Sequence, residues 1–224
     1  MDCIYGIDQI KEPILSSVVT IGNFDGVHVG HRELIQTGLD FAKKNYCESV
    51  VFTFDPHPSL VLAPEKDHRR IFSLEDQKEQ LEGLGVHYLI LQPFSRDFSR
   101  LMPEDFLSRY IVQPLRPKAL VVGYDFAFGM NRTGTYEVLQ DLCRKYDIAL
   151  FRLEPRKIDS KIVSSSIIRE AISQGEIEGV SELLGRNFYL KGVVERGDGR
   201  GQKIGFPTAN LKCAAELIPK NGVY

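Results

Sequence analysis

Two histidines separated by two residues, His28 and His31, are the side chains of this sequence best suited to phosphate chemistry. They follow the turn-forming residues 22–26, which in turn follow the β-branched run Val18–Ile21, typical of a buried parallel strand. A strand, a glycine-containing loop and a helix start form an anion site, because free backbone N–H groups and the helix dipole point at one spot. Helical spacing predicts that both imidazoles face one bound group, and Gly30 would let a ligand approach the backbone.

Two other interpretations of the histidine pair stay open from spacing alone. The pair could be polar surface at an ordinary strand-to-helix turn. It could also bind zinc, but it lacks the i,i+4 spacing and the glutamate of the H-E-x-x-H helix. The cysteines Cys3, Cys47 and Cys143 are scattered and supply no evident third ligand. Zinc is therefore the weaker interpretation, and we assign no metal ligand in residues 1–184.

A second informative stretch runs from Gly123 to Gly134, where Phe126 and Phe128 alternate beside Asp125. One interpretation is a glycine-bent loop whose aromatic rings fill the core. The other is a pocket for a planar ring, in which aromatic surface encloses a heterocycle and Asp125 accepts a hydrogen bond from a ring N–H.

Three serines, Ser164, Ser165 and Ser166, precede an apolar run and could be no more than a helix N-cap. With Ser166 as the N-cap, Arg169 falls in the first helical turn. A cation there opposes the helix dipole unless an anion lies nearby, although Glu170 partly offsets it. This placement favours a bound anion.

Strands alternate with helices along the chain, which predicts an α/β fold with a doubly wound parallel sheet. The predicted strands are Val18–Ile21, Ser49–Phe54, His87–Leu91, Ala119–Val122 and Ile148–Phe151. The predicted helices are Val29–Lys44, Ser73–Leu84, Pro103–Val112, Tyr136–Tyr146 and a short segment over Gln174–Leu184. Ligands of such sheets lie beyond the carboxyl ends of the strands, where the polar segments 22–31, 55–58 and 123–134 should converge.

The residues Gly22-Asn23-Phe24-Asp25 and His28-Val29-Gly30-His31 resemble the signature of HxGH nucleotidyltransferases. The segments TFDPHP (53–58) and GYDFAFGMNRTGT (123–135) narrow the resemblance to the adenylyltransferase module of bacterial bifunctional riboflavin kinase/FAD synthetases. The resemblance implies transfer of AMP from MgATP to FMN, giving FAD and pyrophosphate. Because the acceptor phosphate is already a nucleophile, positioning and electrostatics suffice for this reaction.

The resemblance also implies roles for individual residues. His28, His31 and Arg169 would act in catalysis by stabilising charge on the triphosphate. The implied ATP-binding set comprises Gly22, Asn23, Phe24, His28, Gly30, His31, Ser164, Ser165, Ser166 and Arg169; Ser166 stands where the family motif (I/V)-S-S-T-x-I-R has threonine. The implied flavin-binding set comprises Phe54, Pro56, His57, Asp125, Phe126, Phe128 and Arg132. Magnesium would be coordinated largely by the phosphates.

The chain changes character after the linker Leu184–Arg186, which gives an expected adenylyltransferase domain at 1–184 and a second segment at 185–224. That segment begins with a predicted strand at Leu190–Val194 and a glycine-rich turn at Arg196–Gly201. Its sequence GFPTAN (205–210) resembles the opening of a riboflavin kinase β-barrel, so that Thr208 and Asn210 would bind magnesium and phosphate.

About 35 residues are too few to close an independent barrel core. We therefore expect no riboflavin phosphorylation by this 224-residue chain. We also expect a mobile turn at Gly197–Gly201 and ready proteolysis after Tyr189.

Composition narrows the partners and the compartment. A net charge of -2 gives no sign of nucleic-acid binding, which argues against a tRNA-acting relative of the same fold. No signal peptide and no membrane-length apolar stretch is evident, and four cysteines without a CxxC pair favour the cytoplasm. The expected partners are ATP, FMN and riboflavin, and the sequence says nothing of oligomeric state. The alternatives are a transferase with another phosphate acceptor and a flavin- or nucleotide-binding regulatory protein without turnover.

Overall fold

Six parallel strands form the central sheet in a computed structural model, which describes residues 1–66, 68–197, 205–206 and 208–224. The strands are β1 (Asp2–Tyr5), β2 (Ser17–Ile21), β3 (Glu48–Asp55), β4 (Tyr88–Pro93), β5 (Pro117–Gly123) and β6 (Ala149–Leu153). Their order across the sheet is β1-β4-β3-β2-β5-β6, and every neighbouring pair is parallel. The predicted doubly wound parallel sheet is confirmed, and β1 at the edge is the strand that the sequence analysis missed.

Helices cover both faces of this sheet. They are α1 (Val29–Asn45), α2 (Pro58–Leu62), α3 (Leu74–Gly83), α4 (Pro103–Phe106), α5 (Gln113–Leu115), α6 (Tyr136–Lys145), α7 (Ser165–Gln174) and α8 (Ile177–Leu184). On one face α1 and α3 bury Ile35 and Leu81 against the strands. On the other face, α4, α5 and α6 bury Phe106, Leu115 and Leu139. These two apolar layers hold the strand ends in fixed positions.

The helix predicted at Pro103–Val112 has a more complicated backbone. After α4 the chain continues as a π-helical segment at Leu107–Val112 and then enters α5. Leu107, Ile111 and Leu115, four residues apart, are all fully buried. The apolar spacing therefore identified the buried side of this segment, but not its wider backbone turn.

The connections from β2 and β5 leave the sheet in opposite directions. From β2 the chain crosses through α1 to β3, whereas β5 lies on the other side of β2 and leads through α6 to β6. In open parallel sheets, such a reversal opens a crevice at the carboxyl ends of the two strands. The loops that follow β2 and β5 start at this crevice, and β3 ends beside it, so the predicted convergence of the three segments is confirmed.

A third apolar cluster joins α7 and α8 to the C-terminal segment. Ile168, Ile172 and Val180 pack there with Leu217, whose side chain is 1% exposed. The Glu216 carboxylate also accepts a hydrogen bond from the Arg70 N–H at 2.8 Å. A buried apolar side chain therefore attaches these residues to α7 and α8, and the expected proteolysis after Tyr189 stays a prediction.

A short antiparallel hairpin, β7 (Lys157–Ile158) and β8 (Lys161–Ile162), precedes α7. The rest of the C-terminal segment contains two further antiparallel strands, β9 (Gly192–Glu195) and β10 (Asn210–Cys213). Thr208 and Asn210 are exposed. Residues 198–201 of the predicted glycine-rich turn, and Pro207 of the GFPTAN motif, lie outside the described residues. Within the described part of the chain, no helix has both the length and the apolar character needed to cross a bilayer.

Candidate active site

The connection from β2 to α1, residues 22–28, is here called the histidine loop. The Thr53 hydroxyl donates to the Asn23 carbonyl at 3.1 Å, and the Gln77 side-chain amide donates to the carbonyls of Asn23 and Phe24 at 3.1 and 3.2 Å. Phe24, predicted to bind ATP, is fully buried, so its ring supports the loop from the core and does not reach the surface. Gly22 continues the line of β2 and donates its N–H to Phe52 at 3.2 Å. These bonds fix the loop against β3 and α3.

The two histidines meet, but not in the way that helical spacing predicted. His28 lies outside α1 as its N-cap, with an extended backbone, and its Nδ1 accepts the His31 N–H at 3.3 Å. The two rings stack with centroids 3.6 Å apart and an interplanar angle of 18°. Helix-face geometry was therefore the wrong reason for the pairing; a capping hydrogen bond and ring stacking bring the imidazoles together.

Burial keeps both imidazoles neutral. It lowers the pKa of His28 to about 4, with a smaller contribution from the charge of Arg186. Burial, aided by His28, also lowers the pKa of His31 well below its ordinary value. Because Nδ1 of His28 accepts a hydrogen bond, we assign its proton to Nε2. The pair therefore carries no charge at neutral pH and offers N–H groups as hydrogen-bond donors.

An ion pair between the buried Asp25 and the partly buried Arg169 joins the histidine loop to α7. Arg169 donates from Nη2 and Nε to Asp25 Oδ2 at 3.0 and 3.2 Å, and the Ile71 N–H donates to Asp25 Oδ1 at 3.0 Å. Burial raises the pKa of the Asp25 carboxyl, although Arg169 and the Ile71 N–H act in the opposite direction. Asp25 thus supplies the negative charge beside Arg169 that the sequence analysis attributed to a bound anion.

The N-cap of α7 also differs from the prediction. Ser164 is the cap, and its side chain accepts the Ile167 N–H at 3.4 Å, so Arg169 lies in the second helical turn and not the first. The Ser165 hydroxyl donates to the Asp25 carbonyl at 2.9 Å, and Ser166 is exposed. The chain stays extended up to the first serine, which makes that residue the cap. The N-terminus of α7 therefore adjoins the histidine loop.

Residues 123–134, here called the aromatic loop, leave β5 at the same edge of the sheet. Phe126 and Phe128 stack with centroids 5.3 Å apart, but Phe128 is buried against Phe106, whereas Phe126 is only partly buried. Asp125 is exposed, and its carbonyl accepts from Arg132 Nη2 at 3.3 Å. Phe128 thus fills the core, as one sequence interpretation predicts, while Asp125 and Phe126 reach the surface and the pocket for a planar ring stays a prediction.

The end of β3 carries a second histidine pair. His57 caps α2, where its Nδ1 accepts the Ser59 N–H at 3.2 Å, and its ring stacks on His68 at 3.9 Å. Burial, together with the charges of His68, Arg169 and Arg70, lowers the pKa of His57 to about 3. The peptide bond before Pro56 is cis, and Phe54 packs on the rings of Phe94 and Phe98.

Sequence reasoning missed two residues that contact this site. His68 has a buried Nε2 with no hydrogen-bond partner among the described residues. Arg186, assigned to a linker, instead inserts its guanidinium beneath the histidine loop. The run His68–Arg70, a histidine followed by two arginines, is a sequence signal that could have drawn attention to His68. No local pattern singles out Arg186, because its partners are distant in sequence.

The described residues contain no cluster of three or more histidine, cysteine, aspartate or glutamate side chains suited to hold a metal ion. Asp25, the carboxylate of the histidine loop, already pairs with Arg169.

Comparison with known proteins gives matches over nearly the whole chain. The FAD synthetase family model matches residues 11–167, and the riboflavin kinase family model matches residues 184–224. A relative from Bacillus subtilis, named bifunctional riboflavin kinase/FMN adenylyltransferase, is 38% identical, covering 96% of this chain and 68% of its own. An Escherichia coli relative of the same name is 35% identical, covering 100% of this chain and 72% of its own.

A solved structure shares the fold over the entire chain. It is the crystal structure called macrolide-efflux protein from Streptococcus pneumoniae, with a TM-score of 0.89 and 31% sequence identity. The match covers 100% of this chain and 73% of that one. The fold of this chain therefore recurs in a related experimental structure.

Proposed function

Because the chain belongs to the FAD synthetase family, we propose that it transfers AMP from MgATP to FMN, forming FAD and pyrophosphate. The observation that carries this proposal is the stacked, neutral pair of His28 and His31 at the start of α1. The pair lies at the carboxyl edge of β2, where the sheet opens its crevice. A helix start and neutral N–H donors suit a triphosphate.

In the proposed reaction, a phosphate oxygen of FMN attacks the α-phosphorus of ATP. The bond from that phosphorus to the oxygen bridging to the β-phosphorus breaks, and pyrophosphate leaves with the electron pair. No side chain forms a covalent bond, so the protein contributes alignment and stabilisation of negative charge. Fixed donors that are already in place achieve this without reorganising during the reaction.

The histidine loop and the α7 N-terminus are the proposed triphosphate site. Nε2–H of His28 donates to a phosphate oxygen, and His31 contacts the same group. Gly22, Asn23 and Gly30 line the approach through their backbone, Phe24 supports them from the core, and Ser164, Ser165 and Ser166 border the phosphates from α7. Arg169 holds Asp25 with two of its nitrogens and retains further N–H groups for a phosphate.

The aromatic loop and the end of β3 are the proposed flavin site. Asp125 accepts a hydrogen bond from the isoalloxazine ring, and Phe126 offers its partly exposed face. Phe128 and Phe54 support that surface from the core. Pro56, His57 and Arg132 complete the proposed border of the ring.

The metal, the compartment and the remaining partners are also part of the proposal. Mg²⁺ enters as the MgATP substrate, since no protein cage for it is found among the described residues. The proposed adenylyltransferase unit is 1–184, and 185–224 carries the riboflavin kinase-like strands. Thr208 and Asn210 stand where a full-length riboflavin kinase of this family would bind phosphate and magnesium. We propose a cytoplasmic enzyme whose partners are ATP and flavins and which binds neither nucleic acid nor membranes.

The direct test is incubation of the purified chain with FMN, ATP and Mg²⁺, followed by chromatography for FAD and an assay for pyrophosphate. The two products should form in equal amounts. His28→Asn keeps a capping acceptor at α1 but removes the ring, and should lower turnover by about 10²–10³. His87→Asn, an exposed histidine at the opposite end of the sheet, is the matched control and should leave turnover unchanged. Ligand binding without any FAD would instead identify a regulatory protein.

A further inference from the structure

Arg186 lies two residues beyond α8 and reaches under the histidine loop. Its Nη1 donates to the Val27 carbonyl at 2.9 Å, and its Nη2 donates to the Gly26 carbonyl at 2.6 Å. The Gln80 side-chain carbonyl accepts a further bond from Nη2. The guanidinium carbon lies 5.0 Å from the centroid of the Phe72 ring, in cation–π geometry. The planar fork thus bonds two consecutive carbonyls of the loop at once.

The two residues that Arg186 holds have an unusual backbone. Gly26 has φ 81° and Val27 has φ 39°, so both lie in the left-handed region. That region is strained for a β-branched residue such as Val27, and such a conformation persists only where its surroundings fix it. His28 follows directly, so its ring position depends on this turn being held.

Gly185, next to Arg186, packs closely against Val29, the residue that follows His28. Gly185 ends α8 with φ 69°, and a Cβ at this position would lie 2.9 Å from Val29 Cγ1. Only glycine therefore fits between α8 and the first residue of α1. Residues 185 and 186 contact the chain immediately before and immediately after His28.

We propose that Arg186 is a positioning residue for adenylyl transfer, holding the left-handed turn at Gly26 and Val27 so that His28 and His31 face the triphosphate. This inference rests on the proposed function. The inference also goes beyond that function, because Arg186 lies in the segment matched by the riboflavin kinase model, residues 184–224. A residue of that segment thus completes the nucleotide site of the preceding unit.

Electrostatics supports the same role. Burial lowers the pKa of Arg186 to about 10, which leaves it cationic at neutral pH. Its charge adds to burial in keeping His28 neutral, and therefore an N–H donor. A side chain that only packed against the loop would not have this effect on the imidazole.

The test compares two substitutions of Arg186 with a control in the same segment. Arg186→Lys keeps the charge but replaces the fork with one ammonium, and Arg186→Met removes both. The control is Lys191→Ala, because Lys191 ties the segment to Asp76 at 2.6 Å and Glu79 at 2.5 Å without contacting the loop. FAD formation, the KM for ATP, thermal midpoints and the His28 imidazole titration by NMR are measured for each variant.

Arg186→Lys should lower kcat/KM for ATP by about tenfold to a hundredfold while remaining folded, because small misplacements of catalytic groups have large effects. Lys191→Ala should stay within twofold of the unsubstituted chain. Arg186→Met should also raise the pKa of His28, which Arg186→Lys should leave nearly unchanged. If Arg186→Met does not fold, Arg186→Lys decides. Activity within twofold for a folded Arg186→Lys variant would overturn the proposal.

Failure of the proposed function has a different signature. If the unsubstituted chain forms no FAD, the proposed adenylyl transfer fails, but the positioning role of Arg186 can still be tested. Calorimetric titration with ATP then replaces the activity measurement. Weaker ATP binding by Arg186→Lys than by Lys191→Ala would then still support the positioning role. Equal ATP affinity for the two variants would refute it.

Discussion

Acidification should destabilise this protein through histidines that are buried in the neutral state. His28 has a pKa lowered from 6.5 to about 4, chiefly by burial, and its side chain is 6% exposed. Between these two values the unfolded chain binds a proton at this position and the folded chain does not. The free energy of unfolding must therefore fall as the pH decreases from about 6.5 toward 4.

The expected size follows from the same two values. At pH 7 the folded imidazole is neutral and the unfolded one is about a quarter protonated, so the contribution is only about 0.2 kcal/mol. At pH 5 the unfolded imidazole is mostly protonated, and linkage gives a loss of about 2 kcal/mol from this residue alone. His31 and His57, whose pKa values are also lowered by burial, act in the same direction. The decrease in the free energy of unfolding is thus a substantial fraction of a typical domain stability of about 5–15 kcal/mol.

Urea denaturation at pH 7 and pH 5, for the unsubstituted chain and for His28→Asn, measures this contribution. Asparagine can still accept the capping hydrogen bond of α1 but cannot titrate in this range. The pH-dependent loss of stability should be about 2 kcal/mol smaller in the variant. The same loss in both proteins, or an NMR titration of His28 near pH 6.5 in the folded state, would refute the reasoning.

Three further substitutions have distinct expected outcomes. Asp25→Ala leaves the partly buried guanidinium of Arg169 and the Ile71 N–H without their partner and should lower the free energy of unfolding by about 1.5–3 kcal/mol, as measured with urea; near-normal stability would contradict the ion pair. Gly30→Ala places a Cβ 3.3 Å from His28 Cε1, so FAD formation should fall at least about tenfold with little change in thermal midpoint; an unchanged rate would show that the ring has room. Asp125→Ala should weaken FMN binding in a fluorescence titration more than ATP binding by calorimetry, and equal losses would indicate a collapsed fold.

Much of the fold could be predicted because buried parallel strands carry a strong local signal. The residues of β2 are all buried, and its β-branched run reads as a strand without any tertiary information. The edge strand β1 gave no such signal, since it has only four residues and none is fully buried. Its place in the sheet depends on pairing with β4, which a local pattern does not show.

The candidate site was predictable in its residue types but not in its contacts. His28 and His31 were identified as a pair, whereas the capping hydrogen bond and ring stacking depend on where α1 begins. Helix boundaries are the least reliable part of a sequence prediction, and the same uncertainty moved the cap of α7 from Ser166 to Ser164. Arg186 could not be found locally, because its loop partners lie about 160 positions earlier in the chain.

The parallel pairing of β1 with β4 has a consequence for synthesis on the ribosome. Asp2 pairs with Tyr88, so β1 emerges long before the strand that will hold it. At about 5–20 residues per second, roughly 4–17 s pass between translation of Asp2 and translation of Tyr88. The neighbouring strands β2 and β3 are much closer in sequence and can pair during that interval. Nascent chains should therefore assemble the sheet from its centre outward, and β1 should be among the later strands to dock.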